Sequence, residues 1–329
     1  MSSANKPGLI TKGVGGEYTV VCDSDTYICT ARGIFRNRNV TPYVGDHVMI
    51  DTTKNAIDSI KPRKNMLRRP PVANIDQVIV TMAAREPAFH GGLLDRFLVQ
   101  VAYEGIDAVI CINKYDLHKG PDTAYLPYIR AGYPVVKLST VTGQGFDELS
   151  TLMEGKLNVF AGPSGVGKSS LINAIVPGAA MEIGVISERL RRGKHTTRHA
   201  EILRLDMGHF AAMRAKGGQG IATKLDGHDF ILGSQGIASS SDEQVSQGPV
   251  YSFVVDTPGF SALEIDGIPT GDFAGLFLEF EPYIGMCKFS DCMHDKETDC
   301  AIKAQVGADI DTARYESYLS FVRGVGGRR

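Results

Sequence analysis

The sequence predicts an α/β protein in which a mostly parallel, doubly wound sheet is preceded by a small β-barrel and followed by a smaller, largely helical domain. Three features support this prediction. Short alternating strands come first, buried-type strands then alternate with amphipathic helices, and cysteines crowd around a histidine near the end. Strands that alternate with helices are typical of parallel sheets. We expect domains at residues 1–65, 66–260 and 261–329.

Composition limits the classes of protein to consider. The chain has 329 residues, 43% of them hydrophobic, and can therefore build two or three domain cores. Its formal net charge of -2 gives no general attraction to nucleic acid, so contact with RNA would need local basic patches. No apolar run reaches the roughly 18 to 20 residues of a membrane span. We expect a monomeric, cytoplasmic protein without membrane contacts.

The β-barrel is predicted from the residues before position 60. Runs such as 18–21 and 47–50 are separated by Gly and Asn turns, which is the pattern of short antiparallel strands. The basic, proline-broken segments 61–65 and 68–71 follow, and their composition is typical of a linker. A domain boundary is expected there.

The central domain is predicted from alternating elements after residue 75. The predicted strands are 76–80, 108–112, 135–138, 157–161 and 251–255, and the predicted helices are 93–104, 146–153 and one that begins at Lys168. In an open parallel sheet, ligands bind at the carboxyl ends of the strands. The motifs described next follow these strands or lie in the loops between them.

A phosphate-binding motif occupies residues 162–169, which read Gly-Pro-Ser-Gly-Val-Gly-Lys-Ser and match the Walker pattern in full. Its glycines allow backbone N–H groups to face phosphates, and the dipole of the following helix favours negative charge. Lys168 reaches the outer phosphates, where it also serves catalysis, and the Ser169 hydroxyl is a ligand for Mg²⁺. The predicted phosphate-binding residues are Gly162, Pro163, Ser164, Gly165, Val166, Gly167, Lys168, Ser169 and Ser170.

A base-reading motif, Asn113-Lys114-Tyr115-Asp116, follows the strand 108–112. An ionised Asp116 accepts hydrogen bonds from the ring N–H and the exocyclic amine of guanine, whereas adenine offers neither donor. Lys114 can lie along the base plane, and Asn113 can tie this loop to the phosphate loop. Alone, such a tetrapeptide is equally compatible with a surface turn. Together with the phosphate loop it indicates that the ligand is GTP.

The order of the two motifs is inverted. In the usual GTPase order the phosphate loop comes first, whereas here Asp116 precedes Gly162. The same sheet forms if the original termini are joined and a surface loop is opened, which compact domains tolerate. Between the motifs, Ser139 begins a Ser-Thr-Val-Thr-Gly segment that would supply a backbone donor to the guanine oxygen. The sequence therefore predicts a circularly permuted P-loop GTPase domain.

A third motif, Asp256-Thr257-Pro258-Gly259, follows the strand 251–255. Asp256 can hold Mg²⁺ through water, and the Gly259 amide can sense the γ-phosphate. The next residue is Phe260, where many GTPases carry a glutamine that orients the attacking water. Another group must therefore position that water.

A switch loop is expected at residues 191–198, between the phosphate loop and the third motif. Either Thr196 or Thr197 can close over Mg²⁺, and His195 is a candidate to orient water. The alternative is that this basic segment is a solvated or RNA-facing loop. Residues 206–249 are rich in Gly, Ser and Gln, which predicts a long polar loop or a disordered insertion.

A metal site is predicted from Cys287, Cys292, His294 and Cys300, which offer three sulfurs and one imidazole within a short segment. Thiolates and imidazole in a closed tetrahedral set suit one structural Zn²⁺. Disulfides are the alternative use of cysteine, but a reducing compartment favours metal. The small C-terminal domain would gain folding energy from the ion.

The permuted motifs, the preceding barrel and the following Cys-Cys-His-Cys cluster together resemble the bacterial family of ribosome small-subunit-dependent GTPase A (RsgA type). The resemblance extends to segments 62–65, 73–77, 94–98 and 193–197. It implies an OB-fold barrel, a circularly permuted GTPase domain and a zinc-binding C-terminal domain. It also implies hydrolysis of GTP to GDP and phosphate, stimulation by the small (30S) ribosomal subunit, contact with 16S rRNA and a role in late maturation of that subunit.

The chain departs from the family pattern in two places. Lys194 stands where the family has Arg, and Arg198 stands where it has a third Thr, so the identity of the Mg²⁺-binding threonine stays open. The segment 206–249 is also longer than the family leads us to expect.

The third motif runs directly into the zinc domain, so a γ-phosphate-dependent movement of that loop would pass covalently to a potential RNA-binding module. We therefore hypothesise that GTP sets the placement of two RNA-contacting domains and that hydrolysis releases the protein. Two alternatives are a nucleotide-switched regulator of a non-ribosomal protein partner and an ATP-dependent kinase, which Asp116 disfavours.

Overall fold

The computed structural model describes residues 5–23, 25–33, 35, 40–68, 71–176, 200–205, 252–256 and 267–326. The strands in this part of the chain are β1 (Asn5–Val14), β2 (Glu17–Cys22), β3 (Asp25–Ala31), β4 (His47–Asp51), β5 (Ala56–Ile60), β6 (Met66–Arg68), β7 (Pro71–Ala73), β8 (Gln77–Ala83), β9 (Asp107–Asn113), β10 (Val135–Lys137), β11 (Leu157–Ala161), β12 (Glu201–Arg204) and β13 (Phe253–Asp256). The α-helices are α1 (Gly91–Tyr103), α2 (Leu126–Arg130), α3 (Phe146–Met153), α4 (Lys168–Ile175), α5 (Ala301–Ala304) and α6 (Thr312–Gly326), and short 3-10 helices span Tyr115–Leu117, Thr270–Leu276 and Leu278–Tyr283.

The central part of the sheet has the strand order β10-β9-β8-β11-β13-β12, with parallel pairs throughout except for the antiparallel β13–β12 pair. Strand β12 also pairs with β1, where Glu201 lies opposite Lys12, so β1 to β5 continue the same sheet. All seven residues of β8 and all five of β11 are buried. Strands covered on both faces need continuous apolar sequence, which is why these runs show no alternation. Two separate apolar clusters lie against the sheet, one that includes α1 and one that includes α3 and α4. The predicted doubly wound sheet is confirmed.

The first five strands close into a barrel in the order β1-β2-β3-β5-β4, with β4 pairing back to β1. Only the β3–β5 pair is parallel. Its interior is filled by alternate apolar side chains, among them Ile10, Val20, Val48, Ile50 and Ile57, each with no exposed surface. A five-stranded barrel closed by its first and fourth strands is the OB architecture, as expected.

The segment predicted as a linker is ordered instead. Strands β6 and β7 form a hairpin within it. Arg63 donates to both carboxylate oxygens of the fully buried Asp46, at 2.6 Å and 2.8 Å, and its guanidinium also reaches the carbonyl of Thr41. Local composition indicated a basic tether because the partner of Arg63 lies 17 residues away in the barrel.

The C-terminal domain is built from the two longer 3-10 helices, α5 and α6 around an aromatic core. That core contains Phe273, Phe277, Phe280, Tyr318 and Phe321, all at most 5% exposed. Val99 of α1 belongs to the same cluster, so the domain packs directly on the central α/β domain. Among the described helices, none has both the length and the apolar character that crossing a membrane requires.

Candidate nucleotide site and metal cluster

The phosphate loop follows β11 and is pressed against the ends of neighbouring strands. Gly162 has φ +138°, and a Cβ there would lie 2.0 Å from the carbonyl oxygen of Thr81 in β8. Gly167 has φ +95°, and a Cβ there would lie 2.4 Å from Nδ2 of Asn113. Both positions exclude any side chain, because the backbone conformation and the lack of space each demand glycine. The loop is therefore held in one arrangement before any ligand binds.

Lys168 is the first residue of α4, and Ser169 and Ser170 follow in its first turn. The Lys168 ammonium donates to the carbonyl oxygens of Gly162 at 2.6 Å and Pro163 at 2.8 Å. Burial lowers the pKa of Lys168 to about 8. The amine thus lies within the loop, at a helix N-terminus, where the backbone favours anions.

Asn113 ends β9 and reaches the phosphate loop. Its Nδ2 donates to the carbonyl oxygen of Val166 at 2.9 Å, and the side chain is 1% exposed. Its Oδ1 is buried and has no hydrogen-bond partner among the described residues. A buried acceptor without a partner costs free energy, which a ligand donor would recover. The two motifs, 53 residues apart in sequence, meet here.

Asp116 lies beside the fully buried Ser139, whose hydroxyl donates to its Oδ1 at 2.6 Å. The backbone N–H groups of Val141 and Thr142 both donate to the Ser139 hydroxyl oxygen at 3.2 Å. Two amides thus orient one hydroxyl, and that hydroxyl orients one carboxylate. The sequence predicted only a backbone donor from the Ser139 segment, whereas the side chain also acts on Asp116.

Sequence reasoning missed Asp122, which holds the base-reading loop from outside. Its carboxylate accepts a hydrogen bond from the Tyr115 hydroxyl at 2.6 Å and forms an ion pair with Lys137. Although burial opposes it, hydrogen bonds from Lys137 and Tyr115 keep the pKa of Asp122 below its ordinary value. His118, four residues earlier, pairs with it at 3.1 Å, but the Tyr115 and Lys137 contacts depend on the fold and are not marked by any local pattern.

Several predicted site residues lie outside the described residues: His195, Thr196, Thr197 and Gly259. The predicted insertion 206–249 lies outside them as well. Asp256 is described only as the backbone end of β13, which pairs in parallel with β11. Because β11 leads into the phosphate loop, the carboxyl end of β13 lies at the same edge of the sheet.

A cleft of about 1120 Å³ opens next to the phosphate loop. Pro163 and Ser164 lie on one side of it, and Ser320, Phe321 and Gly324 of α6 line it as well. The C-terminal domain therefore borders the same cavity as the phosphate loop.

The predicted metal ligands converge, with the ligand atoms of Cys287, Cys292, His294 and Cys300 within 4.8 Å of one another. Cys287 Sγ lies 3.8 Å from Cys300 Sγ and 3.5 Å from His294 Nδ1. Tetrahedral Zn²⁺ with ordinary bond lengths separates two sulfurs by about 3.8 Å and a sulfur from a nitrogen by about 3.5 Å. Donor type and spacing both fit zinc.

Known proteins were compared with this fold and site. The RsgA GTPase family model matches residues 60–212, and the RsgA N-terminal domain model matches residues 7–59. The small ribosomal subunit biogenesis GTPase RsgA of Alkaliphilus metalliredigens is 38% identical over 323 residues, covering 96% of both chains. The chain belongs to the RsgA GTPase family. The Geobacillus thermodenitrificans member is 40% identical over 324 residues, again covering 96% of both chains.

Solved structures agree with this family assignment. The crystal structure of YjeQ from Thermotoga maritima matches with a TM-score of 0.75 at 32% identity, covering 99% of this chain and 100% of that one. YloQ, described as a circularly permuted GTPase, matches with a TM-score of 0.72 at 30% identity, covering 99% and 96%. The predicted family, permuted fold and GTPase class are confirmed.

Proposed function

We propose that this protein binds GTP with Mg²⁺, hydrolyses it to GDP and phosphate, and acts in late maturation of the small (30S) ribosomal subunit, from which hydrolysis releases it. One hydrogen bond gives the main support for nucleotide binding. The hydrogen bond from Asn113 to the Val166 carbonyl joins the base-reading loop to the phosphate loop. That bond supports a single pocket that holds a purine at one end and phosphates at the other.

At the base end, Asp116 accepts the two guanine donors while Ser139 holds its carboxylate in place. Lys114 lies along the base, and the free Oδ1 of Asn113 accepts a further donor from the ligand. At the phosphate end, backbone N–H groups of residues 164–170 donate to the phosphates, and the Lys168 ammonium supplies the positive charge. The buried setting strengthens each of these interactions relative to water.

Mg²⁺ binding and hydrolysis are assigned to residues of the phosphate loop, of the third motif and of the predicted switch loop. Ser169, Asp256 and either Thr196 or Thr197 would hold Mg²⁺, which would supply positive charge against the phosphates. The Gly259 amide would contact the γ-phosphate, and His195 would orient the attacking water.

We further propose that Cys287, Cys292, His294 and Cys300 bind one structural Zn²⁺. Four protein ligands close the tetrahedral shell, so the ion would stabilise the domain and take no part in hydrolysis. The Tyr315 hydroxyl donates to the His294 carbonyl at 2.6 Å and supports this loop from α6.

The ribosomal part rests on relatives whose names describe them as small ribosomal subunit biogenesis GTPases. We also propose that the protein contacts 16S rRNA, is cytoplasmic and is a monomer. Steady-state GTP hydrolysis, measured alone and with added 30S or 50S subunits, tests this. Stimulation by 30S alone is expected. Hydrolysis that neither subunit changes would favour a regulator of a non-ribosomal partner.

A further inference from the structure

Exposed apolar side chains concentrate at one face of the C-terminal domain. Ten large apolar side chains are exposed among the described residues, and four of them lie between residues 278 and 289. A fifth, Tyr103, ends α1 of the GTPase domain. Tyr103, Ile284 and Phe289 line a shared cleft of about 510 Å³, and Met286, 69% exposed, lies between two lining residues. We call these four residues the apolar patch.

The cleft beside the apolar patch is open because of glycines that the backbone does not require. Gly271 and Gly275 line it, and a Cβ at either position would meet no atom within 4 Å. Neither residue has the left-handed φ that demands glycine. Their small size therefore leaves a groove rather than relieving a clash. Contiguous exposed apolar surface beside a groove marks an interaction site.

The metal cluster holds one wall of this groove. Cys287 and Cys292 flank Phe289 in sequence, and both line the cleft together with His294, so a bound ion would fill part of its volume. Because these two residues are proposed ligands, a bound ion would fix the loop that carries Phe289. A surface ordered in advance loses less entropy when a partner binds.

The charges around the groove identify the class of partner. Asp272 lines it, no Lys or Arg is among its described lining residues, and Glu281 and Asp291 are exposed nearby in sequence. Lys288 is already paired with Asp299 at 2.9 Å. Lys288 also lies over the Phe289 ring, 5.7 Å from its centroid, so this face carries one cation against the exposed Asp272, Glu281, Asp291 and Asp299. RNA presents a phosphate backbone and needs an excess of positive charge, whereas the excess here is negative. A basic polypeptide is complementary to it.

We infer that the apolar patch docks a Lys- or Arg-rich segment of a small-subunit protein, with one or two apolar side chains of that segment seated in the groove. The inference rests on the proposed function, since it names a partner on the 30S subunit. Apolar anchors in the groove supply affinity, and the acidic rim selects a basic chain over rRNA.

Photo-crosslinking identifies the occupant directly. The full chain carrying p-benzoylphenylalanine in place of Phe289 is irradiated on 30S subunits with a non-hydrolysable GTP analogue. A crosslink that survives ribonuclease and is lost to protease supports the inference. A crosslink to 16S rRNA alone, or none in a chain that binds 30S, overturns it.

Binding measurements give an independent arm. The Met286→Ser, Phe289→Ser double variant is expected to bind 30S at least about tenfold more weakly, as for central anchors of an interface. Leu278→Ser is the matched control, because Leu278 is 45% exposed in the same domain but does not line the groove. Equal binding by the double variant and the control overturns the inference.

Reversing one charge at the groove distinguishes a basic polypeptide from RNA, because the change in 30S affinity has opposite sign for the two. Asp272→Lys should weaken 30S binding if the occupant is basic and strengthen it if the occupant is RNA, which would overturn the inference. Intrinsic GTP hydrolysis without ribosomes should stay unchanged in all these variants. If the wild-type chain does not bind 30S, the proposed function is wrong. If the wild-type chain and the patch variants bind 30S equally well, only the docking inference is wrong.

Discussion

The hydroxyl of Ser139 connects backbone geometry to base recognition. It receives two amide hydrogen bonds and donates one to Asp116, so the carboxylate that we propose reads guanine points in a fixed direction. A hydrogen bond to a charged group contributes about 1.5 to 3 kcal/mol. Under the proposed function, specificity for the base would therefore depend on Ser139 although its side chain need not touch the base.

Ser139→Ala is expected to weaken GDP binding about tenfold or more, because it removes a hydrogen bond to a charged group. Fluorescent-nucleotide titration measures this. Ser150→Ala is the matched control, since the Ser150 hydroxyl only donates to the carbonyl of Asp147 on an exposed helix surface. Equal affinity in the two variants would contradict the role of Ser139.

Lys168 predicts a pH dependence of nucleotide affinity. In the free protein burial lowers its pKa to about 8, and bound phosphates would raise that pKa by attraction to the charged form. Below pH 8 the amine is charged in both states, so affinity is constant. Above pH 8 binding must take up a proton, and affinity falls as pH rises.

Calorimetric titration with GDP in buffers of different ionisation enthalpy checks this. Proton uptake is expected near pH 9 and none near pH 7. The Lys168→Met variant binds more weakly and loses the effect. Affinity that is independent of pH up to 10 would show that Lys168 does not meet the phosphates.

At the scale of elements, α1 and α6 are joined by one buried charge. Arg314 of α6 is 2% exposed, donates to Glu279 at 2.7 Å and forms an ion pair with Asp95 of α1. Its guanidinium also lies over the ring of Phe277, 4.6 Å from the centroid. This group links the C-terminal domain to the helix that follows β8, the strand beside the phosphate loop.

Arg314→Met is expected to lower the free energy of unfolding by about 3 to 5 kcal/mol, because two carboxylates stay buried without a partner. Arg323→Met, which breaks an exposed pair with Asp295, should cost under about 1 kcal/mol. Denaturant unfolding of both variants makes the comparison. Adding Asp95→Asn and Glu279→Gln to Arg314→Met should restore part of the loss, and no restoration would contradict the charge argument.

Elements set by local pattern could be predicted from sequence, and those set by distant partners could not. The helix 146–153 and the strand 157–161 have the predicted bounds, since apolar spacing alone defines them. Arg63 was assigned to a linker because its partner Asp46 lies in the barrel. Asp122 was missed for the same reason. Motif residues were recognised because phosphate and base chemistry restrict residue type at fixed spacing, whereas the residues that support them are restricted only by the fold.

At the scale of the whole molecule, the phosphate loop and α6 line one cleft, and the proposed metal cluster lies within the same C-terminal domain. The chain passes from β13 into that domain. The sheet and the C-terminal domain are therefore joined both by the chain and by the cleft that they share. A change of bound nucleotide would therefore act on the C-terminal domain through the chain connection and through the shared cleft. The apolar patch spans both domains, since Tyr103 ends α1 and its other three residues lie on the C-terminal domain.

Removal of the metal tests whether the C-terminal domain can unfold while the nucleotide site stays intact. Chelation is expected to abolish the unfolding transition of the C-terminal domain and to eliminate 30S binding, because folding of a small metal domain depends on its ion. GDP affinity should fall far less than 30S binding, since the residues proposed to bind the nucleotide lie on the sheet and its loops and not on the C-terminal domain. Loss of GDP binding on chelation would indicate that the domains fold as one unit.

We propose that the permuted segments form one pocket for a guanine nucleotide. Competition of GDP, ADP and inorganic pyrophosphate with a fluorescent GDP analogue, measured on the wild-type chain and on Asp116→Ala, tests this pocket most directly. We predict that GDP competes at least about a thousandfold better than ADP, and that Asp116→Ala removes most of this preference while pyrophosphate competes equally with both chains. Equal competition by GDP and ADP on the wild-type chain would contradict the account.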